Sequence, residues 1–245
     1  MIKIIQSKLF RQFENLVFGF STKIGLDRGD PYYFNMSYNV GDDEYRVKEN
    51  RKAFFGYLGI ESEKVAYQKQ IHSDIIKVVR KGGFAGESDA MITTEPGVAL
   101  AISSADCIPI FLYDKKNNLI AGAHSGWRGT KSNILGKTLD FLVSNFNSSV
   151  DSLFVYLGPS ISKENYEVGP DVASQFKEKY LSVINGKYYL DLRSVCIDVL
   201  YDFGVPDSNV EIYEGCTYKE KELLHSYRRD GKLSGRALGV IYMKE

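Results

Sequence analysis

Histidine, cysteine and tryptophan are the scarce residues of this chain, at three, three and one among 245. An odd number of cysteines at irregular spacing excludes a secreted disulfide scaffold and predicts a reducing, cytoplasmic setting. No uninterrupted apolar run approaches the ~20 residues of a membrane span. The N-terminal stretch Met1–Phe18 is broken by charge every few residues, so it lacks the apolar core of a signal peptide. Neither sign of charge is in excess, with 31 basic and 31 acidic residues. Net charge therefore draws the chain neither to nucleic acid nor to an anionic membrane. There is also no Pro- or Ser-rich linker, composition break or convincing repeat, so residues 1–245 read as one domain. A chain of this length buries roughly 70–75% of its unfolded surface, and needs no disulfide or metal to hold a core.

What is present centres on Val98–Thr130. Val98–Ile102, Ile108–Tyr113 and Leu119–Ala123 each fit a short buried strand, with Asp114–Asn118 supplying hairpin chemistry between the last two. Such a hairpin brings Cys107 towards His124. Before it, Asn15–Ser21 reads as a strand, and Asp42 or Asp43 caps a helix running to about Leu58, with Gly59 past its end. Val47, Phe54, Phe55 and Leu58 form the apolar side of that helix and leave Arg51 pointing elsewhere. Lys64–Gln68 and Ile75–Arg80 are strand-like and flank the loop Lys69–Asp74; Lys81–Gly86 reads as a turn. Further on, Ser132 is the expected cap of a helix to Phe146, Leu153–Leu157 is a strand, and Gly169-Pro170 opens a helix to about Tyr180. Asp191–Phe203 is a helix closed by Gly204, and Ala237–Met243 is a final strand. The fold class expected is α/β, with mixed sheets flanked by helices.

Setting glycines and aromatics aside leaves His72, Cys107 and His124 as candidate metal ligands. A thiolate with two imidazoles suits Zn²⁺, and three protein ligands keep a fourth position open, as catalytic zinc sites do. Spacings of 35 and 17 residues match no zinc-finger pattern, so a buried apolar cysteine and two ordinary histidines fit the same residues. Arg51, Arg128, Arg228 and Arg229 lie beside glycine-rich or capped turns, where a guanidinium fork suits phosphate. Arg128 is preferred because it sits four residues from His124. Trp127 fits a pocket wall as well as the core. Asp74 and Asp106 are the carboxylates nearest the candidate ligands in sequence; each suits either proton transfer or a local cap. Cys196 falls in an apolar helical pattern, and His225 reads as a surface or rim residue. No phosphate-loop or dinucleotide fingerprint is present.

Gln70-Ile-His72-Ser-Asp74, Ser104-Ala-Asp-Cys107-Ile-Pro109, Ala123-His124-Ser-Gly-Trp-Arg128-Gly129, Gly158-Pro-Ser-Ile161, Tyr166-Glu-Val-Gly169, Cys216-Thr-Tyr218 and Ser226-Tyr-Arg-Arg-Asp230 together resemble the YfiH/YlmD family. That family is also called laccase-domain, polyphenol-oxidase-like or peptidoglycan-editing-factor. The likeness runs from about Asn35 to Tyr242. It implies α/β/β/α layers, a zinc site on His72, Cys107 and His124, and purine nucleoside phosphorylase activity with adenosine deaminase activity beside it. Adenosine, inosine, guanosine and methylthioadenosine are the implied substrates, with phosphate as co-substrate, in a monomer or homodimer. Two departures stand out: Lys219 where many relatives have a second cysteine, and Glu164-Asn165-Tyr166 where many have Cys-Cys-Tyr.

On this reading Asp74 relays protons and Arg128 or Arg51 holds phosphate. Four rivals use the same residues. Cys107 with His124 as its base makes a thiol hydrolase. Copper, with Met91 as a weak axial ligand, makes a polyphenol oxidase, although three histidines are too few for a multicopper centre. Editing of a muramyl-peptide precursor needs no different site. The last rival is binding without catalysis.

Overall fold

The computed structural model describes residues 1–245. Side-chain alternation in the central strands decides its layering. In Ile108–Asp114, Ile108, Ile110 and Leu112 face one way, while Phe111 and Tyr113 face the other. The first set packs against Leu135, Leu139 and Leu142 of the helix Ile134–Phe146 and Leu192, Cys196 and Leu200 of the helix Leu192–Phe203. The second set meets Phe18, Phe20, Leu100, Ile102 and Ile241 of an opposing sheet. On the far side of that sheet, Ala99, Ala101, Leu238 and Val240 pack with Phe54 and Phe55 of the helix Glu44–Tyr57. The layers are therefore helix, sheet, sheet, helix, as expected. Strands covered on both faces read as near-continuous apolar runs, which is why Val98–Ile102 and Ile108–Tyr113 were legible as strands.

The first sheet has the strand order Ile4–Ile5, Leu16–Ser21, Ala237–Met243, Ala99–Ser104, Val65–Lys69, Gly83–Glu87. The second has the order Val210–Ile212, Leu153–Leu157, Ile108–Asp114, Leu119–Ser125, Ala90–Thr93, Ile76–Val78. A small third sheet holds Glu167–Val168, Lys187–Leu190 and Leu181–Ile184. Where the two large sheets press together, glycine is required: a Cβ on Gly239 would lie 2.4 Å from Phe111 and 3.0 Å from Phe20. No helix is long and apolar enough to cross a membrane.

Topology creates the site. Val65–Lys69 runs parallel to both Gly83–Glu87 and Ala99–Ser104, so all three strands finish at the same end of the sandwich. From each of them the chain crosses to the second sheet, entering Ile76–Val78, Ala90–Thr93 and Ile108–Asp114 respectively. These crossings carry His72, Asp89 and Cys107.

Several expectations are corrected. Lys81–Gly86 is not simply a turn, because Gly83–Glu87 pairs as an edge strand. The long helix near Ile134 is capped by Asn133, not Ser132. Trp127–Lys131 is already helical, and the chain then reverses at Asn133 (φ 58°), whose side chain accepts from the Gly136 N–H. The helix opened by Pro170 ends at Ala173, and Glu178–Tyr180 is a separate 3-10 turn. Asp43, Gly59 (φ 71°) and Gly204 (φ 85°) fall as read, while Asp191, expected as the first residue of its helix, caps Leu192–Phe203 instead.

Candidate metal centre

The hairpin pairs Pro109 with His124 and Ile108 with Ser125, which brings Cys107, just before the first strand, alongside the end of the second. The loop after Lys69 folds His72 over both. One ligand atom from each of His72, Cys107 and His124 lies within 4.8 Å of the others. The two imidazole centroids are 4.9 Å apart, with planes at 80°. His124 is buried, Cys107 half-buried and His72 exposed, so the cluster is open on one side.

A single carboxylate that the sequence reading passed over organises two of the three. Asp89 is fully buried. Its Oδ1 accepts from His124 Nδ1 at 2.9 Å and from the His72 N–H at 3.1 Å. Its Oδ2 accepts from the Ser73 N–H at 2.6 Å, the Ser73 hydroxyl at 2.7 Å and the Ile71 N–H at 3.2 Å. Three successive N–H groups thus turn inward around one anion, and this holds His72 in the left-handed region (φ 59°), a conformation that costs a non-glycine residue about 1–3 kcal/mol. Burial works against the Asp89 charge, but the His124 imidazole and the Ser73 donors outweigh it and hold the carboxyl below its usual range. In the neutral ring that a metal requires, donation of Nδ1–H to Asp89 leaves the Nε2 lone pair to face the cluster. The signal for this residue was Ser88-Asp89, a polar pair at the mouth of an apolar strand.

Cys107 is positioned from the other side. Asp106 has φ 93°, and its carboxylate accepts from the Thr217 hydroxyl at 2.6 Å and the Arg228 N–H at 2.7 Å. The Arg229 guanidinium in turn donates to the carbonyls of Thr217, Tyr218 and Leu224. The Cys216-Thr-Tyr and Ser226-Tyr-Arg-Arg-Asp segments are therefore a brace for the residue before Cys107. Burial alone would push the Cys107 thiol up; the adjoining His124 and His72 imidazoles reverse this and bring it to about 6. Burial likewise opposes charging of His124, but the Cys107 thiolate and Asp89 carboxylate raise it to about 9.

Gly126 tests whether this space fits an ion. A Cβ there would lie 2.8 Å from Cys107 Sγ and 3.0 Å from the His72 ring, although the Gly126 backbone (φ −81°) is one that any residue adopts. Only the closeness of the ligand cluster demands glycine. A thiolate, two imidazoles with one oriented by a carboxylate, and one open face fit a divalent ion.

The cluster forms part of the wall of a cavity of about 740 Å³. Arg51, Arg236 and Lys69 also line it, and no aspartate or glutamate does. Lys69 is paired with Glu87 at 2.7 Å. Arg51 has no carboxylate partner: its Nε donates to the Met36 carbonyl at 2.7 Å, and its guanidinium carbon lies 4.6 Å from the Tyr38 ring and 5.4 Å from the Tyr67 ring. Arg236 donates to the Ser234 and Gly235 carbonyls and lies 5.2 Å from the Tyr227 ring.

The family described as multi-copper polyphenol oxidoreductase laccase matches residues 17–244. The chain belongs to this family, the YfiH/YlmD group whose motifs it carries. A relative from Bacteroides thetaiotaomicron named purine nucleoside phosphorylase is 31% identical, covering 98% of each chain. The adenosine deaminase RL5, from an unknown prokaryotic organism, is 30% identical over 92% of this chain and 93% of that one. The crystal structure of YlmD from Geobacillus stearothermophilus superposes with a TM-score of 0.91 at 29% identity, over 98% of this chain and 94% of that one.

Of the residues expected at this YfiH/YlmD site, the structure gathers His72, Cys107, His124 and Arg51 around one cavity. Asp74 instead forms an ion pair with Lys137. Arg128 is exposed, 4.2 Å from the Trp127 ring and outside the cavity wall. Arg228 donates to the Glu167 carbonyl at 2.6 Å. Met91 is buried in the core between the sheets. His225 is not a rim residue but only 2% exposed, and burial pushes it down to about 3. The laccase description notwithstanding, His72, Cys107 and His124 are the one group of clustered metal-ligating side chains in the chain.

Proposed function

We propose that the protein is a zinc-dependent purine nucleoside phosphorylase of the reducing cytosol, acting on adenosine, inosine, guanosine and methylthioadenosine. The observation that carries this reading is a cavity with a Cys-His-His cluster in its wall, two guanidiniums without carboxylate partners, and no acid anywhere in its lining. Cations left half-buried without a partner are stabilised by an anion from solution, and an inorganic phosphate dianion is the co-substrate that phosphorolysis needs. The relative named purine nucleoside phosphorylase supports the same reaction.

His72, Cys107 and His124 would hold the zinc, which when bound supplies Lewis acidity towards an oxygen of substrate or phosphate. Asp89 fixes the ring orientation and tautomer of His124. Arg51, its Nε pinned by the Met36 carbonyl and its face covered by Tyr38 and Tyr67, presents its remaining N–H donors to phosphate without having to reorganise. A phosphate oxygen bonds to the sugar C1′ as the C1′–N9 bond breaks; the electron pair leaves with the purine, which takes up a proton. The free base and ribose 1-phosphate are the products, or 5-methylthioribose 1-phosphate when the substrate is methylthioadenosine.

Deamination of adenosine is the second reading, favoured by the relative named adenosine deaminase. With no carboxylate in the cavity wall, protons there would pass through the imidazoles and Asp89, not Asp74. Incubating inosine and adenosine with and without phosphate tests both. Hypoxanthine with ribose 1-phosphate, formed only when phosphate is present, is expected; in Arg51→Lys the phosphate KM should rise about 10-fold or more, because a point charge replaces the fork. Inosine from adenosine without phosphate would identify a deaminase, and no product from either would overturn the proposal.

A further inference from the structure

We infer that Tyr67 and Phe84 form the seat for the substrate's base, a flat fused-ring nitrogen heterocycle stacked on the two aromatic rings. The identity of the ring rests on the nucleoside reading above; the seat itself is built from side chains outside the metal cluster. Tyr67 and Phe84 are register partners on the parallel strands Val65–Lys69 and Gly83–Glu87, at the edge of the first sheet. Their ring centroids are 5.7 Å apart, with planes inclined at 37°. Both line the cavity, and Phe84 is 61% exposed. A phenyl ring so exposed adds little to the core, whereas at the lip of a cavity it offers a stacking face to a ligand.

Tyr67 also joins the seat to the anion site, since its ring neighbours both Phe84 and the Arg51 guanidinium. A base on the aromatic pair and a phosphate on Arg51 are thus neighbours across one side chain, as transfer of a sugar between them requires. Stacking tolerates every purine, because each has a π-face, so the seat takes adenine, hypoxanthine and guanine alike.

The test measures the KM for inosine, the KM for phosphate and the equilibrium binding of hypoxanthine in the wild type, Phe84→Leu and Phe84→Trp. Phe84→Leu should raise the inosine KM and the hypoxanthine Kd by about 5- to 100-fold. The phosphate KM should stay within about twofold, and Phe84→Trp should bind as the wild type does or more tightly. Wild-type binding and KM in Phe84→Leu would overturn the seat and leave the phosphorylase reading standing. Loss of hypoxanthine binding in Phe84→Leu, in a protein that never phosphorolyses inosine, would support the seat and reject that reading. A wild type that neither binds hypoxanthine nor turns over inosine would reject both.

Discussion

Replacing Asp89 by asparagine keeps the side chain's shape and removes its charge, which separates orientation from packing. In the wild type all five partners of this carboxylate are donors: three backbone N–H groups, the Ser73 hydroxyl and His124 Nδ1. An asparagine must turn its NH₂ towards one set of them. Facing Ile71 and Ser73, it meets three donors; facing His72 and His124, it meets two, so the second orientation is the cheaper. There His124 can relieve the conflict only by accepting at Nδ1, which places its proton on Nε2 and turns that nitrogen from a ligand into a donor. Loss of such a carboxylate partner costs 10- to 100-fold in metal affinity by analogy with other His-metal sites. The N–H of His72 left without an acceptor costs a further ~1–3 kcal/mol of stability. Chelator-competition titration with zinc, alongside melting of the metal-free protein, measures both. We expect zinc affinity to fall at least 10-fold and the metal-free Tm to fall as well. Zinc affinity within twofold of wild type would refute the claim that Asp89 sets the His124 tautomer.

Gly126→Ala places a methyl group against Cys107 and His72 on a backbone that accepts it. Overpacking of about 1–3 kcal/mol should appear as roughly 5- to 150-fold weaker zinc binding, read by the same titration, with the fold intact by circular dichroism. In the metal-free protein, iodoacetamide should alkylate Cys107 with a midpoint near pH 6, because the lowered thiol is ionised above that pH and protonated below it. Mass spectrometry of the modified peptide reads this, and a midpoint above 8 would contradict the electrostatic account. His225 is buried neutral, at about 3 against an unfolded value near 6.5. The unfolded chain therefore binds the extra proton between these values, and stability present above pH 6.5 is lost as pH falls, at roughly 1 kcal/mol per unit. His225→Gln should flatten the acid limb of Tm against pH.

The layering was legible because Ile108–Tyr113 and its neighbours are apolar on both faces, and the hairpin because Asp114-Lys-Lys-Asn-Asn118 is turn chemistry. In the structure Asp114 accepts from the Lys116 and Asn117 N–H groups as such a turn requires. Gly83–Glu87 was hidden by its two glycines, Gly83 and Gly86, which read as turn residues but here shape an edge strand (φ 104° and 88°). The approach of Cys107 to His124 followed from the hairpin alone. Residue type alone made His72 a candidate beside them, and only the resemblance made the triad specific, since its place depends on two crossings between sheets that no local pattern encodes. Asp89 was missed for the same reason: proximity in sequence favoured Asp74 and Asp106, whereas proximity in space comes from a parallel strand pair. Arg128 shows the reverse error, a residue near His124 in the chain whose side chain lies outside the cavity wall.

The most direct measurement is the metal content of purified protein combined with X-ray absorption at the metal edge. The account predicts one zinc per chain, with one sulfur and two nitrogen ligands from the protein and Cys107 shielded from alkylation until the zinc is removed. Protein that is free of metal as purified, takes up no zinc and is rapidly alkylated at Cys107 would contradict it, and would leave that thiol with His124 as a nucleophile and its base.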